Sequence, residues 1–525
     1  MAHSAHRLIA SLEERIKPLE IEFHQAYWDS QIDARPEHEE RRAALELELR
    51  RAKGDPEALA EVNEHLSEEL HDPVLRRQLE VLRLSLTGNQ MGDEQREQVV
   101  QLSSAIESDF ASYRPEVNGR ALSDNDIEEV LRLSTDSEDR KRTWYASKEV
   151  GKVVAKRVRE LARVRNQVAR DLGYGDYFQM SLDLQELSEE WLFGALGDLE
   201  RLTGEPFKFW KQDLDDRLAS RFSTERLHPW HYADPFFQAP PPGGRVDLDR
   251  FFKSTSAAEL AQKTFSGWDI DLSGVMESSD LYPRANKCQH AFCLDVDRAR
   301  DVRILANIVP GERWVEVMLH ESGHAAYDMS IDPQLPYLLR RPTHIFVTEA
   351  IAILSGRLLR DLEWLNGVAG IPPTDLAAIK SALGPGQAAH SLLFSRWGLV
   401  MVHFERDLYA DPEADLDSRW WELVERFQLV QAPDDPPEGA WAAKIHIAVA
   451  PVYYQNYLLG ELLASQLRAT AEQQAGGLIG KKNAGHFFKE RVFRPGALLR
   501  WDALIEEATG APLTADAFAA DVTLQ

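Results

Sequence analysis

Residues 314–327 read WVEVMLHESGHAAY. Within the run, His320, Glu321 and His324 form the pattern H-E-x-x-H. On an α-helix, residues four apart lie on one face, so both imidazoles reach a single metal ion. Glu321 sits beside that ion without ligating it, placed to take a proton from a water that the ion acidifies. Trp314, Val317, Met318, Ala325 and Ala326 offer the apolar surface that packs such a helix into an interior. A buried helix is the rigid support that a metal site needs.

A third ligand separates this reading from an ordinary buried helix. It comes in the apolar run HIFVTEAIAILSGRLL, residues 344–359, where Glu349 is the only carboxylate. A lone Glu in a helix apolar nearly all round costs too much to bury unless it is paired or holds a metal. Two His from one helix and a Glu from the next make a zinc site with three protein ligands and an open position, the catalytic kind. A rival reading takes Glu321 and His324 as the E-x-x-H of a di-iron bundle, with Glu68 and His71 as a second such pair. That second pair lies in the polar run NEHLSEELHD, which reads as a solvated helix face, and His320 would be left without a role.

Composition bounds the remaining choices. A chain of 525 residues buries a large core and is expected to split into compact lobes. The net charge of −26 repels nucleic acid and anionic membranes, so neither is an expected partner. Two cysteines, Cys288 and Cys293, are too few for a disulfide scaffold. The N-terminal MAHSAHRLIASLEER lacks the apolar core of a signal peptide, and no run reaches transmembrane length. The expectation is a cytoplasmic enzyme.

Along the chain, the first 220 residues or so read as helix after helix: Leu8 to Trp28, a charged run opened by Pro36, Pro73 to Leu86, and Ser137 to Leu172. The dense basic residues of that last stretch read as a solvated helix face. Pro and Gly crowd residues 229–247, so the expected division is an N-terminal helical lobe and lid over 1–228, a connection over 229–247, and a metal-bearing lobe over 248–525. Long helices are expected to resume at Leu248. Just before the H-E-x-x-H helix, HAFCLDV (290–296) and VRILANIV (302–309) read as a β-hairpin begun by His290. A strand edge beside the site suits an extended peptide, whose main chain it can pair with. Further on, AAKIHIAVAPVYYQNYLLGELLASQL (442–467) predicts a helix opened by Pro451, with Tyr454 and Tyr457 three apart on one face.

Together these pieces resemble the angiotensin-converting-enzyme family of zinc peptidyl dipeptidases, whose close relative is the thimet oligopeptidase and oligoendopeptidase group. The motifs are HESGH with TEAIA, HAF before it, LRR at 339–341, KIH at 444–446 and Tyr-x-x-Tyr. RWWELVERFQ (419–428) and RPGALLRWDALIEEATG (494–510) add to them, and EFHQAYWD (22–29) is a weaker likeness. The resemblance implies a mostly α, two-lobed helical ellipsoid with a deep groove and a small hairpin beside the metal helix. It implies one zinc per chain on His320, His324 and Glu349, with Glu321 as general base and acid and Tyr457 as the phenol that meets the oxyanion. His290, Ala291 and His446 would meet the substrate backbone, and Lys444 and Tyr454 its C-terminal carboxylate.

The departures are specific. Ile353 stands where the family usually has an Asp that supports a zinc-bound His, and Asn456 where animal members carry an Arg tied to chloride. Ala195 falls where the family has a glutamine for the substrate carboxylate. The expected activity is release of C-terminal dipeptides from short peptides. Internal cleavage of oligopeptides is the alternative, and a non-catalytic peptide-binding protein is the remote one.

Overall fold

Asp followed by Pro opens two of the N-terminal helices, and the cap explains why. The carboxylate of Asp55 accepts the N–H groups of Glu57 and Ala58, and that of Asp72 those of Val74 and Leu75. Each proline sits at the first helical position, where its missing N–H costs nothing. The computed structural model describes residues 2–241 and 246–523. Among them the chain forms twenty-three α-helices and two small antiparallel strand pairs, so the fold is mostly α with a small hairpin.

The chain forms two compact units, and neither is a single stretch of sequence. One contains residues 1–90, 247–380 and 459–517; the other contains 91–246, 381–458 and 518–525. Within the Pro/Gly-rich stretch 229–247, residues 242–245 lie outside the described residues.

In the first unit the helices Ala2–Ile32, Pro36–Lys53, Pro56–Ser67 and Pro73–Thr87 share one core. Ile9, Leu12 and Ile16 pack there with Val62, Leu75, Leu79 and Leu82. The first helix also reaches the hairpin: the rings of Tyr27 and Trp28 lie 5.5 and 6.1 Å from that of Phe292. The hairpin strands are Phe292–Asp295 and Val302–Leu305, with Cys293 opposite Ile304. His290 precedes the first strand in an exposed bend instead of beginning it. At the other end Arg298 and Arg300 take φ 54° and 84° and make the turn, closed by the Val296 N–H donating to the Asp301 carbonyl at 2.9 Å. Nor do long helices resume at Leu248. Short ones follow, Asp249–Phe252, Ala257–Ser266 and Ser273–Ser278, the second stopped at Gly267.

The second unit contains two long helices, Ser137–Asp171 and Glu189–Phe222, with Leu416–Gln428 and most of Lys380–Ala410. Trp144, Trp397, Trp420 and Trp441 are buried in it. The basic face of Ser137–Asp171 is not wholly solvated. Arg140 donates to the carbonyls of Trp230 and Tyr232, both at 2.8 Å, and Lys148 to that of Pro235 at 2.6 Å. These buried side chains bond the carbonyls of Trp230, Tyr232 and Pro235 and so hold the stretch at 229–239.

Candidate active site

Two helices of the first unit carry the H-E-x-x-H run and its third acid: Glu312–Ser330 and Ile345–Arg357. Val315, Met318, Leu319, Ala325 and Ala326 bury the first, while Trp314 and Val317 are only half-buried. The two helices meet at Gly323. A Cβ there would lie 2.9 Å from the Ala352 Cα and 3.0 Å from the Ile351 carbonyl oxygen, so only glycine allows this approach. Gly460 brings a third helix against the same place, its absent Cβ 3.3 Å from the Glu349 Cβ and 3.2 Å from Ile353 Cδ1.

This packing gathers the predicted ligands. One donor atom each from His320, His324 and Glu349 lies within 4.8 Å of the others. Glu349 Oε2 is 3.7 Å from His320 Nε2 and 4.0 Å from His324 Nε2. The side chains of His320, His324 and Glu349 keep 33%, 15% and 11% of their surface exposed, so the donors remain reachable by water and substrate. Burial holds His320 at about 4 and His324 at about 3, which leaves both imidazoles neutral and able to ligate. His324 Nδ1 lies 2.7 Å from Thr348 Oγ1, a bond that fixes the ring with Nε2 toward the acid. Two neutral imidazoles and one carboxylate at this spacing fit zinc.

Glu321 stands beside the cluster. Burial first, then the charge of Glu349, raises its carboxyl to about 8, while the Cys293 backbone N–H donates to it and works in the opposite direction. That bond ties the hairpin to the metal helix, since Cys293 lies on the Phe292–Asp295 strand. The outer edge of the other strand is engaged, as Ile304 N–H donates to Ser279 Oγ and its carbonyl accepts from Asp280. Glu68 and His71 join no metal-capable group among the described residues, and the His71 side chain is 87% exposed.

Lys444, His446, Tyr454 and Tyr457 belong to the second unit. Trp397 links two of its aromatic and basic groups, Tyr454 and Lys444. Its Nε1 donates to the Tyr454 hydroxyl at 3.2 Å, and Lys444 Nζ stands 5.4 Å above its ring. The His446 ring lies 5.5 Å from that of Tyr454, and the Tyr457 ring 5.6 Å. Burial lowers Lys444 to about 8, and burial with the charge of Lys444 lowers His446 to about 4. Tyr454 is buried and Tyr457 half-buried. The helix that carries them begins at Tyr454 and not at Pro451, because Val452 takes φ 51° and turns the chain first.

Two family models match the chain. Angiotensin-converting enzyme matches residues 1–192, and Peptidase family M3 matches residues 268–524. The chain is a metallopeptidase, similar to these two families over different stretches. No curated protein matches it. The resemblance read from the motifs holds, and its distribution is informative. The converting-enzyme match lies over the N-terminal helices, while the stretch of this peptidase that bears His320, His324 and Glu349 matches M3. Both families are zinc-dependent.

Two side chains of the peptidase were not found in its sequence. Thr348 bonds His324 where the family motif led one to look for an acid at the place of Ile353. The only signal for it is its position next to Glu349 on an otherwise apolar helix. Gln238 accepts from Lys444 Nζ at 2.9 Å, whereas the sequence put Ala195 in the glutamine's place. Gln238 lies in the Pro/Gly-rich loop, which periodicity does not reach.

Proposed function

We propose that this metallopeptidase binds one zinc through His320, His324 and Glu349 and releases dipeptides from the free C-termini of short peptides. When bound, zinc supplies a Lewis acid that acidifies water and polarises the scissile carbonyl. Glu321 takes the proton from the attacking water and hands it to the leaving amine. Tyr457 donates to the oxyanion. His290, Ala291 and His446 meet the substrate backbone, and the Phe292–Asp295 strand pairs with it through groups other than the Cys293 N–H, which Glu321 holds.

The observation that carries the C-terminal preference is the group around Trp397. Lys444, bonded to Gln238, and Tyr454 share that ring, and they offer an ammonium, an amide and a phenol to a carboxylate. Internal cleavage of oligopeptides is the second reading, favoured by the M3 match over the metal-bearing stretch. One peptide as free acid and as C-terminal amide separates them, with products identified by mass. Release of dipeptides from the acid, with the amide hydrolysed poorly, supports the proposal. Equal internal cleavage of both forms would establish the second reading, and no turnover of either by the zinc-loaded protein would leave a peptide binder.

A further inference from the structure

The turn that leads into the tyrosine helix is strained, and buried side chains hold it in place. Val452 occupies the left-handed region at φ 51°, a conformation that a β-branched residue strongly disfavours. Side chains grip both of its backbone groups. Its N–H donates to the Glu405 carboxylate at 2.9 Å, while its carbonyl accepts from Gln455 Nε2 at 2.6 Å and Gln185 Nε2 at 3.2 Å. Glu405 and Val452 are each 1% exposed, so water cannot replace the carboxylate.

The grip extends to both sides of the turn. Upstream, the Ala448 carbonyl accepts from Arg165 at 2.8 Å, and the same guanidinium donates to the Tyr409 hydroxyl at 3.1 Å. Downstream, Gln185 Oε1 accepts from Gln455 Nε2 at 3.1 Å and Asn456 Nδ2 at 2.9 Å, which fastens the first turn of the helix. Burial raises the Glu405 carboxyl to about 8, and the charge of Arg165 opposes that rise. In either protonation state an oxygen remains to accept from Val452.

We infer that Glu405 is a positioning residue: by holding Val452 in the left-handed turn, it sets where the helix Tyr454–Ala475 begins and hence where Tyr454 and Tyr457 point. Without the acceptor, Val452 relaxes toward ordinary backbone angles. Tyr454 and Tyr457 lie in the first turn of that helix, so a change of backbone angles at Val452 moves them most directly. The inference rests on the roles proposed above for the two tyrosines, and Glu405 itself touches neither substrate nor metal in it.

The test is steady-state hydrolysis of one free-acid peptide, each variant assayed well below its melting temperature. The variants are Glu405→Ala, Glu405→Gln, Val452→Gly, the double variant Glu405→Ala/Val452→Gly, and Tyr457→Phe. Glu405→Ala should lower kcat about tenfold or more, since a small misplacement of a reacting group is costly. Glu405→Gln keeps an acceptor and should retain most of kcat. Glycine tolerates the left-handed region, so in the Val452→Gly background the loss from Glu405→Ala should largely disappear. Should Glu405→Ala not fold, Gln185→Ala loosens the turn from its carbonyl side and replaces it in the same cycle. Wild-type kcat for Glu405→Ala, beside a Tyr457→Phe that has lost its own, would overturn the inference and leave the proposed function standing. An equal loss in the Val452→Gly background would also overturn it. A silent Tyr457→Phe would remove the reading of the tyrosines, and the inference with it.

Discussion

Thr348 gives His324 the partner that a carboxylate usually gives a metal-ligating histidine, and it does so without adding charge. Thr348→Val keeps shape and volume but loses the acceptor. It should lower zinc affinity about 10–100-fold, measured by competition with a chelating indicator; unchanged affinity would mean that the ring is held by packing alone. The tyrosines divide differently. Tyr457→Phe should lower kcat about 10²–10³-fold with KM little changed, because a donor to the oxyanion acts in the transition state. Tyr454→Phe should raise KM for free-acid peptides and leave amides nearly unaffected. Equal, small effects on both would return the pair to a packing role. At this scale the sequence was legible where spacing carries the chemistry: His320 and His324 four apart, and Glu349 alone in an apolar run. Thr348 and Gln238 were not legible, because each acquires its role from a side chain that only tertiary approach brings near.

Helix positions were read well from the recurrence of apolar residues, as Ser137–Asp171 and Pro73–Thr87 illustrate. Turns were read less well. Pro451 is a good first helical residue, so nothing local announced that Val452 would take a left-handed angle and move the start to Tyr454. The inward cations were hidden for a related reason. Arg140, Lys148 and Arg165 sit in a run dense in charge, and their use is to bond carbonyls of segments distant in sequence. The two helices that carry the candidate ligands approach closely at Gly323. Gly323→Ala places a methyl against backbone atoms of the partner helix and should cost about 1–3 kcal/mol of stability, with weaker zinc retention as the helices part. Denaturant unfolding checks the first effect and metal analysis after dialysis the second. Full stability would show that the helices can move apart freely.

Across the whole molecule, the two units draw on separated stretches, which no composition break along the chain could reveal. The balance of protons is a second global property. Without metal, the folded protein keeps Glu321 protonated to about pH 8, against an ordinary 4.5 in the unfolded chain. The folded state then binds the extra proton, so this contribution to stability is full below pH 4.5 and is lost as pH rises through 8. His320 and His324 act in the opposite sense, but their contribution is complete above about 6.5. Between pH 6.5 and 8, metal-free wild type should therefore lose on the order of 2 kcal/mol more than metal-free Glu321→Gln. Denaturant titrations in excess chelator measure it, and parallel curves for the two proteins would refute the raised pKa.

The same substitution in the zinc-loaded protein bears on the function most directly. An amide at 321 leaves the three ligands in place but cannot accept a proton. Metal content and kcat of Glu321→Gln, determined on one preparation with a free-acid peptide, should show zinc retained and kcat reduced by roughly 10²-fold or more. Retention of more than about a tenth of wild-type kcat with the metal in place would contradict the assignment and put the base elsewhere.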